Sequence, residues 1–432
     1  MARTALIMSD AFKEYNFGKS HPLKPERVLL TWELIKGLHL DEDPNCTVLE
    51  PRLATDDELE LFHTKDYIDF VKQVSAALEE GPLPVDLEIA GLKYNLGPGD
   101  NPVFPKIHEG SSIVVGGTIV AMEAVYDGIV ENAFQAGGGL HHAMPSKASG
   151  FCIYNDSAVA IKNLLQKHRQ EDLKILYIDV DAHHGDGVQY AFYNDGDNVL
   201  TISLHESGKY LFPGTGFVED RGTGMHEGYA INIPLLPYTY DDLYLEIFDD
   251  IIPTVAKIFQ PDLIVSQNGV DTHCTDPLAQ LGLTTKGHRE IFKKIHALAN
   301  QYCHGKLVAV GGGGYNISVV PRSWTMLFAD LLGVLDQLPA TIPEDILEKL
   351  NEGRTSDLIP ENFVDKSPSD EIKMRINDYK FIDEFQLYGL QIRYQIKKEI
   401  IPLIEKHEAS RVSKPVQKPA KKSGNAKRAT KK

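Results

Sequence analysis

The stretch YIDVDAHHGDG, Tyr177 to Gly187, sets Asp179, Asp181 and Asp186 around the adjacent pair His183 and His184. Five ionisable side chains within eight positions repel one another or must be stripped of water, and both effects oppose folding. A divalent metal ion offsets that cost. Asp181 and His183 stand at i and i+2, so in an extended chain leaving a strand both point the same way and can reach one ion. A third ligand has to come from elsewhere, and Asp271 in NGVDTH is the best-placed candidate. Two carboxylates and one imidazole suit zinc or ferrous iron, and three protein ligands leave a position open for water. The competing reading is a loop in which Asp181 and His183 only hydrogen-bond; the crowding of ionisable groups favours the metal.

A second pair, His141-His142, follows AGGG, where backbone can approach closely. Adjacent histidines can bind metal, act as acid and base, or simply occupy a loop. As acid and base they need carboxylates to fix the tautomer and tune basicity, and Asp179 and Asp186 are free for that role. Asp181, His183 and Asp271 on the metal, with Asp179 and Asp186 behind the histidines, is a consistent division that spacing alone does not fix. GGGGY at 311–315 lacks the Lys-Ser/Thr of a phosphate loop. Its glycines let Tyr315 swing or hold an unusual turn, and a phenol there can donate to a developing oxyanion. On pattern alone Phe151 and Phe212 read as core residues, and Cys274, close to Asp271, as structural.

These groups need a scaffold. Apolar, β-rich runs recur at 174–180, 198–204, 262–268 and 306–312. Amphipathic segments at 157–168, 241–259 and 286–303 lie between or before them. Uniformly apolar strands alternating with helices predict a parallel sheet covered on both faces, with sites beyond the carboxyl ends of its strands. The polar clusters follow such runs: YIDV leads to Asp181, LIVSQNGV to Asp271, LVAVGGGG to Tyr315 and AFQAGGGL to His141-His142. Four distant strand ends are thus expected to meet on one rim.

The chain of 432 residues is 42% hydrophobic and 24% charged, ordinary values for a large α/β domain. No apolar run is long enough for a transmembrane helix, and the N-terminus does not read as a signal peptide. Four scattered cysteines without a Cys-x-x-Cys predict reduced thiols in a cytoplasmic protein. The net charge of −17 is uneven: residues 409–432 hold nine Lys or Arg and no acid, against 35 basic and 61 acidic side chains in the other 408. An acidic body argues against general nucleic-acid binding. The basic tail is expected to be disordered, with at most weak contact to nucleic acid or an acidic partner. The domain is therefore read as 1–408 and the tail as 409–432.

At this point seven motifs resemble the zinc-dependent histone deacetylases: HPLKPERV (21–28), GDNPVF (99–104), GGGLHHAMPSKASGFCIYND (137–156), YIDVDAHHGDGVQ (177–189), SLHESGKYLFPGTG (203–216), NGVDTHCTDPL (268–278) and GGGGY (311–315). They occur in the family's order over about residues 7 to 335. Details such as ASGFCIYND, KYLFPGTG and QNGVD are most similar to the prokaryotic acetoin-utilization deacetylases, a branch near the class I enzymes. The resemblance implies a single arginase–deacetylase-type α/β domain, with a mostly parallel, eight-stranded sheet flanked by helices and a helical extension after about residue 335.

By the same resemblance the zinc ligands are Asp181, His183 and Asp271, with ferrous iron or cobalt able to replace zinc. The catalytic residues are His141, His142, Asp179, Asp186 and Tyr315, with His142 as general base. Gly150, Phe151 and Phe212 line an acetyl-lysine tunnel, and Asp100 is a rim acid that holds substrate backbone. A structural potassium ion is implied on backbone oxygens of Asp179, Asp181 and His183, with Ser203 nearby. The expected activity is hydrolysis of N-ε-acetyl-lysine in an acetylated protein, releasing acetate. An acyl-CoA synthetase or a chromatin protein is the expected substrate class. The alternatives are an acetylpolyamine amidohydrolase, and a silent acetyl-lysine-binding scaffold, which would be expected to have lost Tyr315 or a ligand. An arginase-like dimanganese site would need further acids where the His-His pair stands.

Overall fold

The computed structural model describes residues 3–194, 198–365 and 379–412. At its centre eight strands form one sheet: β1 (Thr4–Ile7), β2 (Cys46–Leu49), β3 (Asn132–Gln135), β4 (Ile175–Asp179), β5 (Val199–Glu206), β6 (Ala230–Leu235), β7 (Leu263–Gln267) and β8 (Leu307–Val310). Their order is β2-β1-β3-β8-β7-β4-β5-β6, and every ladder among them is parallel. Parallel neighbours need long crossovers, here helices that cover the sheet. All residues of every strand except edge strand β2 are buried, which is why those strands read as unbroken apolar runs rather than alternating ones.

The four strands expected from the sequence are present as β4, β5, β7 and β8, each trimmed or shifted by a residue or two. The three expected helices appear as Asp156–Lys167, Asp241–Phe259 and Thr285–Tyr302. Helix Ile107–Tyr126 is apolar nearly all round because it packs against β1, β3 and β8 on one side and helix Asp156–Lys167 on another.

The C-terminal extension is a helix of two segments, Tyr379–Gln395 and Ile401–Val412, joined by a π turn at Ile396–Ile400. It packs on helix Asp241–Phe259 through buried Ile392, Ile396, Ile400 and Ile404. A spacing of four outruns the α-helical turn by about 0.4 residue per step, and the wider π turn absorbs part of that drift. Residues 409–412, read from sequence as the start of the tail, are helical and complete this packed element. Residues 413–432 lie outside the described residues.

Candidate metal centre and active site

Strands β3, β8, β7 and β4 are consecutive neighbours and parallel, so their carboxyl ends share one edge. The segments leaving them carry His141-His142, Tyr315, Asp271 and the Asp181 to Asp186 stretch. The four strand ends expected to meet on one rim do so.

Asp181, His183 and Asp271 are buried, and one donor atom from each lies within 4.8 Å of the others. His183 Nδ1 sits 3.1 Å from Asp181 Oδ1 and 2.8 Å from Asp271 Oδ2. A nitrogen between two carboxylate oxygens carries a proton there, in the place a cation would take. The remaining oxygens are already satisfied. Asp181 Oδ2 accepts from Gln267 Nε2 at 2.6 Å and from the Gly313 N–H at 2.7 Å, and Asp271 Oδ1 accepts from the Ala182 N–H at 2.8 Å. Such outer contacts orient ligands toward a metal. Burial and the adjacent Asp181 carboxylate push Asp271 well above the usual carboxylate range. Two buried carboxylates this close do not both ionise without a cation, and a divalent ion fits the donor set and its charge.

The histidine pair stands beside this centre. His141 Nδ1 is 2.8 Å from Asp179 Oδ2, and His142 Nδ1 is 2.7 Å from Asp186 Oδ1. The structure thus fixes which acid serves which ring. The two Nε2 atoms face each other at 3.0 Å. Burial alone would lower His141, but the Asp179 and Asp181 carboxylates outweigh it and raise it to about 9. Burial and the charge of His141 push His142 down to about 4, against the pull of Asp186. One proton therefore lies between the rings at neutral pH.

Burial, then the charges of Asp271 and Asp181, hold the Tyr315 phenol well above its ordinary value, so it keeps its proton and can donate. Its ring lies edge-on to Phe151 at 5.7 Å and to His183 at 6.5 Å. The preceding glycines serve close packing. A Cβ on Gly313 would fall 2.2 Å from Asp271 Oδ2, and Gly312 and Gly314 take the left-handed φ that glycine tolerates.

Phe212 is 42% exposed and is not the core residue that pattern alone suggests, whereas partly buried Phe151 does pack against the core. Phe212 packs edge-on over His142 at 5.1 Å. Gly150 has φ +50°, and a Cβ there would fall 2.4 Å from the His142 ring and 2.8 Å from the Phe212 ring. Asp100 is exposed, and its carbonyl lies 3.3 Å from His21 Nε2. Asp179 and Ser203 are opposite partners in the β4–β5 ladder. Cys274 is partly buried.

Several supporting residues were not singled out from sequence. Tyr177 donates to Asp179 Oδ2 at 2.9 Å and Gln267 holds Asp181 as described; each is a polar group inside an apolar strand, a legible signal. Asp276 accepts the Tyr315 N–H at 2.8 Å. Buried Arg27, within HPLKPERV, donates to the carbonyls of Gly312 at 2.6 Å and Gly314 at 3.2 Å. Asn101 Oδ1 accepts the Phe151 N–H at 2.9 Å.

The chain resembles known proteins in sequence and fold. The sequence model of the histone deacetylase domain matches residues 21–331. The chain is 47% identical over 335 residues to the acetoin utilization protein AcuC of Bacillus subtilis (strain 168), covering 77% of this chain and 83% of that protein. It is 40% identical over 364 residues to AcuC of Staphylococcus xylosus, covering 84% and 90%. Among solved structures it is similar to an HDAC homolog from Aquifex aeolicus, with TM-score 0.74 and 33% identity over 88% of this chain and 100% of that one.

Proposed function

Since this chain belongs to the histone deacetylase family, whose members are deacetylase hydrolases, we propose that it cleaves the acetyl amide of N-ε-acetyl-lysine in proteins, with zinc held by Asp181, His183 and Asp271. The observation that carries this reading is the pair His141 and His142, each backed by its own carboxylate, beside a buried Asp-His-Asp group.

A bound divalent ion supplies electrophilic polarisation of the acetyl carbonyl and lowers the pKa of a water. The residues of the chain do the rest. Phe151 and Phe212 shield the apolar stem of the lysine. Tyr315 donates to the carbonyl oxygen as it gains negative charge. His142, neutral at neutral pH, is the ring able to accept the proton of the attacking water. The cationic pair then returns a proton to the amine nitrogen as the C–N bond breaks, since that nitrogen cannot leave as an anion. Acetate and an unmodified lysine side chain result. Asp179 and Asp186 fix both tautomers throughout.

We also assign to this reading a potassium ion on backbone oxygens of Asp179, Asp181 and His183 near Ser203, which the β4–β5 pairing of Asp179 with Ser203 supports. Among the described residues no helix is long and apolar enough to cross a membrane. The relatives are named for acetoin utilization, which favours a metabolic role; within this reading the substrate is an acyl-CoA synthetase in the cytoplasm, with a chromatin protein as the other class. The test is acetate release from an acetyl-lysine peptide and from acetylspermidine, side by side. Preference for the peptide supports the reading; preference for the polyamine makes this an acetylpolyamine amidohydrolase; turnover of neither makes it a silent binder.

A further inference from the structure

The helix Val85–Gly91 and the turn Leu92–Tyr94 that continues it present Val85, Ile89 and Leu92 at 68%, 65% and 63% exposure. Steps of four and three residues place them on one helical face. Folding does not need this face: the segment is anchored by buried Gly91 and by Tyr94, whose ring stacks on Phe70 at 4.5 Å. Single exposed apolar side chains are ordinary, whereas a contiguous row marks a contact surface.

The segment that carries the face is tied to the mouth of the site. The Tyr94 carbonyl accepts the Ala148 N–H at 3.0 Å, and Asn95 Nδ2 donates to the Ala148 carbonyl at 3.0 Å, two residues before Gly150. The chain then passes exposed Asp100 and reaches Asn101, which holds the Phe151 N–H. One unbroken segment, 85–101, thus carries the apolar face, an exposed carboxylate and the anchor of a tunnel wall. Its border is acidic. Asp86 and Glu88 are exposed with no ion pair among the described residues, while Lys93 is already engaged by Asp66 at 3.3 Å. A stable complex buries about 800 Å² on each partner, far more than three side chains supply. A second copy of the chain is therefore a poor occupant, and a transiently held strand a good one.

We propose that the Val85–Ile89–Leu92 face captures the residues flanking an acetylated lysine: an extended segment of a protein substrate with an apolar side chain a few positions from the lysine and basic side chains beyond it. This rests on the deacetylase reading. It places substrate selection partly outside the tunnel.

The test compares wild type with the double variant Ile89→Glu/Leu92→Glu on three probes. They are a labelled peptide bearing one acetyl-lysine flanked by leucine and arginine, its counterpart with serine for leucine, and a blocked acetyl-lysine amide. The variant should raise KM for the leucine peptide by about ten- to a hundredfold and leave kcat unchanged. It should bring the two peptides to equal KM and leave the blocked amide unaffected. Peptide binding followed by fluorescence anisotropy gives the same comparison without turnover, so a failure of the deacetylase reading does not mask the result. Equal loss on all three probes, or no change in the leucine-to-serine ratio, overturns the proposal. So does a wild-type dimer that the variant converts to monomer in sedimentation, which would make the face a self-interface.

Discussion

The backbone N–H of Tyr315 donates to Oδ2 of Asp276 at 2.8 Å, while Oδ1 of the same carboxylate accepts the Leu278 N–H at 2.9 Å. Asp276 is buried, and burial lifts it to about 6 despite these donors. The contact fixes where the Gly-rich segment delivers the phenol. Asp276→Asn must turn an NH2 group toward one of the two N–H donors, which costs about 1–3 kcal/mol. We expect turnover to fall about tenfold or more with metal content intact. In a double-mutant cycle with Tyr315→Phe the two losses should not add, because one residue acts through the other. Additive losses would show that Asp276 only supports the fold.

The histidine pair predicts a bell-shaped pH profile. His142, held near about 4, must be neutral to accept a proton, so activity rises as pH passes that value. Against burial, the Asp179 carboxylate holds His141 above its ordinary value, and His141 must keep its proton, so activity falls on the alkaline side. Asp179→Asn removes the charge that raises His141, and the alkaline limb should move to lower pH. An unmoved limb in the pH dependence of kcat would assign it to another group.

Metal removal should abolish turnover, and zinc, cobalt or ferrous iron should restore it, since two carboxylates and one imidazole discriminate little among them. Asp181→Ala should weaken metal retention, read by elemental analysis after dialysis. Hydroxamates, which chelate through two oxygens, should inhibit. Full activity in the presence of a strong chelator would refute the metal assignment.

Asp365 predicts an acid-sensitive clamp. Its Oδ2 accepts from His273 Nε2 at 2.8 Å and from both donors of Thr285, and its Oδ1 from Arg322 at 2.8 Å. Burial would raise it, but His273 and Arg322 hold it well below the usual carboxylate range. A depressed carboxylate stabilises the fold above its unfolded value of about 3.9 and loses that contribution as pH falls below it. Asp365→Asn should cost about 2–4 kcal/mol at neutral pH, measured by urea unfolding, and the difference from wild type should begin to shrink only once the pH falls below about 3.9.

Much of the site was legible because its residues follow strands that are buried on both faces and read as apolar runs. Asp181, His183, Asp271, the His141-His142 pair and Tyr315 all follow such runs. Strands β1, β2 and β6 were not read. β2 is a half-exposed edge, and β6 carries Pro234, which an edge strand tolerates. Which carboxylate backs which histidine required the fold, since Asp179 and Asp186 lie 38 and 44 positions from their rings. The exposure of Phe212 was hidden for a similar reason: an aromatic in a loop has the same composition signal whether it faces core or solvent.

Tyr315 and the histidine pair are expected to act together on the acetyl amide of lysine. The most direct measurement is single-turnover acetate release from an acetyl-lysine peptide by wild type and by Tyr315→Phe, at matched metal content. Removing one oxyanion donor typically costs about a hundred- to a thousandfold in rate. We expect wild type to release one acetate for each lysine uncovered, and the variant, with metal retained, to be slower by about that factor. No acetate from wild type, or a variant as fast as wild type, would show that these residues do not carry this chemistry.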